Sequence, residues 1–569
     1  MKTITKSKTI TGSEAIIQCL LKENVKTIFG YPGGAIMPIY DALYDYQDQI
    51  EHILVRHEQG ATHAAQGFAR VSGKVGVCMA TSGPGATNLI TGLADAQIDS
   101  TPMVCITGQV ASHLLGTDAF QETDVVGISM PVTKWNIQIT RPEEIPKAIA
   151  KAFFIAQSGR PGPVLIDVTK DAQFGKFEFS YEPCSRIRSY IPEPPLDENQ
   201  ITNAAELINN AKQPFVLFGQ GVILGDAQQE FKKFIEKAGL PAAWTIMGLS
   251  AIEDNHPLNV GMLGMHGNYG PNMLTAECDV LIAVGMRFDD RVTGDVNRFA
   301  SKAKIIHMDI DPAEISKIIK TDVSILGDCK KTLPLLTKKL KKSVHANWLQ
   351  KFRELNEEEY DVVGKDELYP SIDKDISMGE VIRRISEKTN GEAVIVTDVG
   401  QHQMVAQRFY KYSKWRSNIT SGGLGTMGFA LPAAFGAKLG APERTVIAVI
   451  GDGGFQMTIQ ELGTIFQSKI DVKILVLNNE FLGMVRQWQE LFFDRRYAFT
   501  EMINPDFQTI VKGYHIPAEK VTKREELEGA VERFISSEGS YFLEVMVGKE
   551  NNVFPMVPTG AAVSEIRLK

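Results

Sequence analysis

The chain has 569 residues, room for three or four domains at roughly 150 residues each. Its 60 basic and 68 acidic residues leave a net charge of −8 with no basic block, which argues against a nucleic-acid binder or a polybasic membrane anchor. Six scattered cysteines without a Cys-x-x-Cys pair argue against a disulfide scaffold or a zinc framework, and no apolar run approaches the ~18 residues of a membrane span, so neither nucleic acid nor membrane is an expected partner.

The basic start of the chain is followed by polar Thr11-Gly12-Ser13-Glu14, where a signal peptide needs apolar residues. The expected location is therefore a bacterial cytoplasm, or a plastid stroma for a plastid-encoded chain. Residues from Ser13 onward read as a capped amphipathic helix. Short apolar strands then alternate with helical patterns: residues 75–80 and 103–107, then 215–218, 280–284 and 304–310, then 394–398, 445–450 and 472–477. The alternation predicts an α/β protein of mostly parallel sheets flanked by helices. Two stretches read as linkers, the proline-rich 183–195 and the charged 338–375. They divide the chain into domains at 1–185, 190–340 and 370–569. The first and third domains look like copies of one plan, since an offset of 367 pairs Gly33 with Gly400, Phe68 with Phe435 and Gly73 with Gly440. Two similar sheets suggest a site made between them.

Glycine, at 49 residues, is in excess, and it gathers where strands end. In the first domain Gly30-Tyr-Pro32-Gly-Gly-Ala35, Thr81-Ser-Gly-Pro-Gly-Ala-Thr-Asn88 and Gly108-Gln109 occupy one sheet edge. Between them lies Arg56-His57-Glu58-Gln59-Gly60-Ala61. Ala61 rules out a His-Glu-x-x-His zinc motif, and the small residues after Glu58 suit a carboxyl buried at a domain interface. In the middle domain Gly219 and Gly221, Met265 and His266, Gly285 and Arg287, and Asp309 with Ile310 follow successive strands, a pattern suited to a dinucleotide. Arg287 and Arg291 either pair with its phosphates or pair with Asp289 and Asp290 on the surface. In the third domain Gly423-Leu-Gly425-Thr-Met427-Gly428 fits a dinucleotide fingerprint, but the segment before it is short and polar. Gly451-Asp452-Gly453-Gly454 ends one strand and Asn478-Asn479 the next, so both reach the carboxyl edge of one sheet. A carboxylate and a carboxamide there are hard oxygen donors for Mg²⁺ shared with a phosphate, and the glycines admit that phosphate to the backbone.

This last combination resembles the diphosphate-binding motif of thiamine-diphosphate enzymes. With the Gly-Tyr-Pro-Gly-Gly-Ala, Arg-His-Glu-Gln-Gly-Ala, Gly-Thr-Asp-Ala-Phe-Gln-Glu, Gly-Arg-Pro-Gly-Pro-Val and Arg-Phe-Asp-Asp-Arg blocks, the chain resembles over nearly its whole length the catalytic subunits of acetohydroxyacid synthase, also called acetolactate synthase. The resemblance implies a thiamine-diphosphate-binding fold for the outer domains and a Rossmann-like FAD-binding middle domain. The implied cofactors are thiamine diphosphate, Mg²⁺ and a mainly structural FAD. The implied reaction decarboxylates pyruvate and condenses the remainder with pyruvate or 2-oxobutyrate, the first common step of branched-chain amino acid synthesis.

Carried over by residue, Glu58 activates the cofactor, and Asp452, Asn479 and the main-chain carbonyl of Phe481 hold Mg²⁺. Many relatives have His at the position of Phe481. Pro32, Gln401, His402, Gly425, Met427, Gly453 and Gly454 line the thiamine diphosphate site. Phe120, Gln121 and Lys170 face the substrate, and Trp488 favours 2-oxobutyrate, although Met484, Trp488 and Leu491 also fit an ordinary core stripe. FAD falls to Arg160, Gly219, Gly221, Thr245, Met247, Met265, His266, Gly285, Arg287, Asp309, Ile310 and Asp328. Ala111 stands where many relatives have Pro. The family implies a homodimer or homotetramer, with Glu58 of one chain meeting Asp452 of another, and a small regulatory subunit. The competing assignments are a pyruvate oxidase or glyoxylate carboligase, and a dinucleotide-dependent oxidoreductase built on the Gly423 loop.

Overall fold

The computed structural model describes residues 8–569, which form three parallel six-stranded sheets. The first sheet contains β2 (Thr27–Gly30), β3 (Glu51–Leu54), β4 (Gly76–Ala80), β5 (Met103–Gln109), β6 (Trp135–Ile139) and β7 (Pro163–Thr169), in the order β3-β2-β4-β5-β7-β6. Every residue of β5 and β7 is buried, as strands covered by helices on both faces require. A short antiparallel pair, β1 (Thr9–Thr11) and β8 (Lys176–Glu178), lies beside this sheet.

The middle sheet contains β9 (Pro214–Phe218), β10 (Ala242–Trp244), β11 (Asn259–Met262), β12 (Val280–Val284), β13 (Lys304–Asp309) and β14 (Val323–Leu326), ordered β11-β10-β9-β12-β13-β14. This is the 3-2-1-4-5-6 order of the doubly wound dinucleotide fold, and its direction reverses between β9 and β12.

The third sheet contains β15 (Val394–Thr397), β16 (Asn418–Thr420), β17 (Val446–Gly451), β18 (Lys473–Asn478), β19 (Ala518–Val521) and β20 (Tyr541–Met546), ordered β16-β15-β17-β18-β20-β19. Counted within each domain, the order is the same as in the first sheet. The repeated glycines and phenylalanine of the sequence therefore reflect one topology used twice.

The two copies meet through the helices Glu58–Ser72 and Ala430–Gly440. Gly67 lies against the carbonyl of Ala433, and Gly436 against the carbonyl of Ala64, each so closely that a Cβ would overlap the opposing oxygen. Phe29 and Phe435 pack at 6.3 Å in a single apolar core shared by both copies.

The charged stretch 338–375 differs from the linker it resembles. It carries the helix Ala346–Glu359, whose Trp348 and Phe352 are buried. Trp348 Nε1 donates to the Pro214 carbonyl at 2.9 Å, and Phe352 packs on Phe215 at 5.1 Å. Most of its charges lie on the solvent face of an amphipathic helix and mask its two aromatic anchors, while Glu359 at its end is buried and pairs with Arg408. Among the described residues no helix is long and apolar enough to cross a membrane.

Candidate functional site

Three groups of side chains gather at the carboxyl edges of the sheets. The first belongs to the third domain. β17 ends at Gly451 and delivers Asp452, Gly453 and Gly454 into the following turn, and Asn479 follows β18 directly. These residues line one small cleft with Gln401, His402, Met427 and Phe481. Burial raises the Asp452 carboxyl to about 6, partly offset by a hydrogen bond from Asn504 Nδ2 at 2.7 Å. Asn479 Oδ1 accepts from the Phe481 N–H at 3.3 Å, and its Nδ2 donates to Gln401 Oε1 at 3.3 Å. Burial lowers the His402 imidazole to about 4, so it is neutral at pH 7. Its Nε2 is buried without a protein partner.

An unpaired ring nitrogen in a cleft of oxygen donors and bare backbone fits a phosphate-bearing ligand. The oxygen set of Asp452, Asn479 and the Phe481 carbonyl fits a hard divalent cation, whose charge would draw the Asp452 carboxyl back down. Among the described residues no group of three or more His, Cys, Asp or Glu side chains forms a metal cluster. Gly425 has φ +70° and nothing nearer than 3.9 Å to its missing Cβ, so bare backbone faces open space there. Gly454 differs: Asp398 fills the place of its side chain, so this glycine is demanded by internal packing as well as by any ligand.

The second group belongs to the first domain. Glu58 is buried, opens the helix Glu58–Ser72, and accepts from Asn88 Nδ2 at 2.9 Å. Gly85 packs beside its carboxylate. Gln121 adopts φ +60° and lies against Gly83. Phe120 is 88% exposed, Pro32 is exposed, and Lys170 is half-buried at the end of β7. None of these residues lines the cleft of Asp452.

The third group surrounds a cavity of about 820 Å³ between all three domains. Arg160, Gly221, Thr245, Met247, Met265, His266, Gly285, Arg287, Asp309, Ile310 and Asp328 all line it. Gly219 stands just behind, against Gly285 and Met286. Gly219 follows β9 and Gly285 follows β12, so the cavity opens at the reversal of strand order, where such sheets bind ligands. Its volume suits a cofactor. Arg160 reaches it from the first domain while pairing with Glu314 at 2.7 Å and Asp311 at 3.3 Å. Burial raises the Asp309 carboxyl to about 6 and lowers His266 to about 4. Both Arg287 and Arg291 line the cavity, and exposed Arg291 also lies 3.7 Å from Asp290. Met484 and Trp488 border the cavity, and Leu491 is 39% exposed, so these three do not form a core stripe.

The Gly423 loop borders the same cavity but is not a phosphate loop. The Gly422 and Gly423 N–H groups both donate to Asp99 at 2.8 Å, and the Gly428 N–H donates to Asp398 at 3.0 Å. The Thr426 N–H is taken by Ser421 Oγ at 2.8 Å, so four backbone donors of this segment serve internal contacts. Sequence reasoning did not select Asn504, which touches Asp452 from an irregular segment and has no local motif. Asn88 lay inside a glycine block already noted, and its amide was the available signal.

Comparison with known proteins gives three matches to family models: the N-terminal TPP binding domain of thiamine pyrophosphate enzymes over residues 10–128, their central domain over 201–336, and their C-terminal TPP binding domain over 398–545. The chain is 45% identical to the acetolactate synthase isozyme 2 large subunit of Escherichia coli (strain K12), over 98% of this chain and 99% of that protein. It is 46% identical to the acetolactate synthase large subunit of Corynebacterium glutamicum, covering 98% and 90%. It is 45% identical to the probable acetolactate synthase large subunit of Methanocaldococcus jannaschii, covering 98% and 95%.

Proposed function

This chain belongs to the acetolactate synthases among the thiamine pyrophosphate enzymes, and from that premise we propose how its residues divide the work. The reaction releases carbon dioxide from pyruvate and joins the remaining two carbons to a second 2-oxoacid. Pyruvate as acceptor gives 2-acetolactate, and 2-oxobutyrate gives 2-aceto-2-hydroxybutyrate. Bound thiamine diphosphate supplies the electron sink for the decarboxylation.

Asp452, Asn479 and the Phe481 carbonyl hold Mg²⁺, and His402, Gln401 and the backbone of Gly453 and Gly454 hold the diphosphate. Met427 and Gly425 shape the space above it. The observation that carries this reading is the cleft of Asp452, Asn479 and Phe481 with the unpaired His402 Nε2 at its wall. Glu58 would hold the proton on the aminopyrimidine of bound thiamine diphosphate. Pro32 would help hold that ring, and Phe120, Gln121 and Lys170 would border the substrate approach. Trp488 sets the preference for the larger acceptor.

Glu58 does not line the Asp452 cleft of its own chain, which supports a complete site that takes Glu58 from a second copy. The enzyme is at least a homodimer, as a homodimer or homotetramer. The large cavity receives FAD, with Arg160 and Arg287 toward its phosphates. A small regulatory subunit accompanies the chain, as the "large subunit" names of its relatives suggest. Its products feed branched-chain amino acid synthesis.

Product analysis with pyruvate plus 2-oxobutyrate tests this reading. Condensation products that require thiamine diphosphate and Mg²⁺ are expected. Oxygen uptake or NAD(P)H turnover without condensation product would overturn it in favour of an oxidase or a dinucleotide oxidoreductase.

A further inference from the structure

Two buried carboxylates cross the interface between the first and third domains in opposite directions. Glu461, from the third domain, has no exposed surface and accepts from the Arg56 N–H at 3.1 and 3.2 Å with its two oxygens. It also accepts from Thr464 Oγ1 at 2.6 Å. Gly60 makes room for it, since a Cβ there would lie 2.6 Å from Glu461 Oε1. The Arg56 side chain returns the contact, donating to the Gly463 carbonyl at 3.1 Å and to Gln467 Oε1 at 2.7 Å. Asp99, from the first domain, accepts from the Gly422 and Gly423 N–H groups at 2.8 Å. Arg70 holds Asp99 at 3.1 Å, and neighbouring Asp95 accepts from Ser421 and Thr426 hydroxyls.

The exchange follows the duplication. The sequence offset that pairs Phe68 with Phe435 also pairs Arg56 with Gly423. Each copy therefore grips equivalent backbone in the other. Both gripped segments lead into residues assigned to the cofactor: Arg56-His57 into Glu58, and Gly422-Gly423 into Gly425 and Met427. A carboxylate with two oxygens can hold two donors at once and fix the register of a loop within a fraction of an ångström.

We propose that Glu461 and Asp99 are reciprocal positioning residues, Glu461 setting the backbone from which Glu58 projects and Asp99 setting the loop that carries Gly425 and Met427. The proposal rests on the cofactor roles given above. Since Glu58 and Met427 of one chain face different sites, the interface inside each chain joins the halves of two active sites.

Hydrogen–deuterium exchange of the dimeric holoenzyme, read peptide by peptide, tests it beside steady-state kinetics. In Glu461→Gln the amide group loses one acceptor. Exchange should quicken at residues 55–60 and not at 420–428, kcat should fall by about tenfold or more, and FAD affinity should stay within twofold. In Asp99→Asn the pattern should invert, with faster exchange at 420–428, unchanged exchange at 55–60, and weaker FAD binding. Gly60→Ala, which crowds Glu461 without changing charge, should reproduce the Glu461→Gln pattern and covers the case in which that variant folds poorly. Equal loosening of both segments in every variant, or no change in either, would overturn the proposal. If exchange behaves as expected while Glu58→Gln retains full activity, the positioning stands and the role given to Glu58 fails.

Discussion

The first and third domains have the same strand order, but their sheet edges present different chemistry. The third offers Asp452, Asn479 and a neutral His402 around bare backbone, a set suited to a cation and a phosphate. The first offers no such set. Its edge carries the buried carboxylate of Glu58 beside Asn88 and Gly85. The strands are common to both because packing fixes them, whereas the loops at their ends are free to diverge. A duplicated scaffold thus presents two unlike edges, one of oxygen donors around bare backbone and one built on a buried carboxylate. The middle domain has a different topology and shares its cavity with both outer domains.

Removing the distinguishing group of the first domain should have the largest effect. Glu58→Gln is expected to lower kcat by about 100-fold or more, in the range of acid–base catalysis, while FAD binding is unchanged by titration of flavin absorbance. Wild-type turnover would erase the proposed division of labour. The helix crossing tests the symmetry instead. Gly67→Ala and Gly436→Ala should each destabilise the protein by about 1–3 kcal/mol or more in denaturant titration, through overpacking against a carbonyl. A large difference between the two would show that the copies do not share the interface evenly. A smaller effect is expected at Asn504, which touches only the third-domain edge. Asn504→Ala should weaken Mg²⁺ affinity by about tenfold, read as a higher Mg²⁺ concentration for half-maximal activity, as loss of a group supporting a metal ligand does.

The last expectation concerns the pH dependence of stability at Glu461. Burial raises its carboxyl from 4.5 to about 7, so the folded chain binds its proton more tightly than the unfolded chain does. Its contribution to stability is fully present below about 4.5 and is lost as pH rises through about 7. Glu461→Gln should therefore flatten part of the fall in thermal stability between those two values. Parallel curves for variant and wild type would contradict the assignment.

The sheets and the sites were unequally legible in the sequence. The repeat offset revealed the duplication because glycines at tight contacts, such as Gly73 and Gly440, tolerate little replacement. The Gly-Asp-Gly-Gly and Asn-Asn pair stood out because strand ends, spacing and donor chemistry agreed. The helix Ala346–Glu359 was hidden, since only Trp348 and Phe352 mark its inner face among many charges. The grip of Glu461 on Arg56 was also hidden, because the partners are 405 residues apart and Glu461 belongs to no local motif. The Gly423 fingerprint shows the converse, a motif whose N–H groups are taken by Asp99 and Asp398.

Mixing two inactive chains tests the central claim most directly. Glu58→Gln and Asp452→Ala chains, each inactive alone, should regain activity when dissociated and reassembled together. Random pairing in a two-fold dimer places one intact site in half the dimers, about a quarter of wild-type activity. Recovery near that value would place Glu58 and Asp452 of one site on different chains. No recovery from verified mixed dimers would contradict a site shared between the copies.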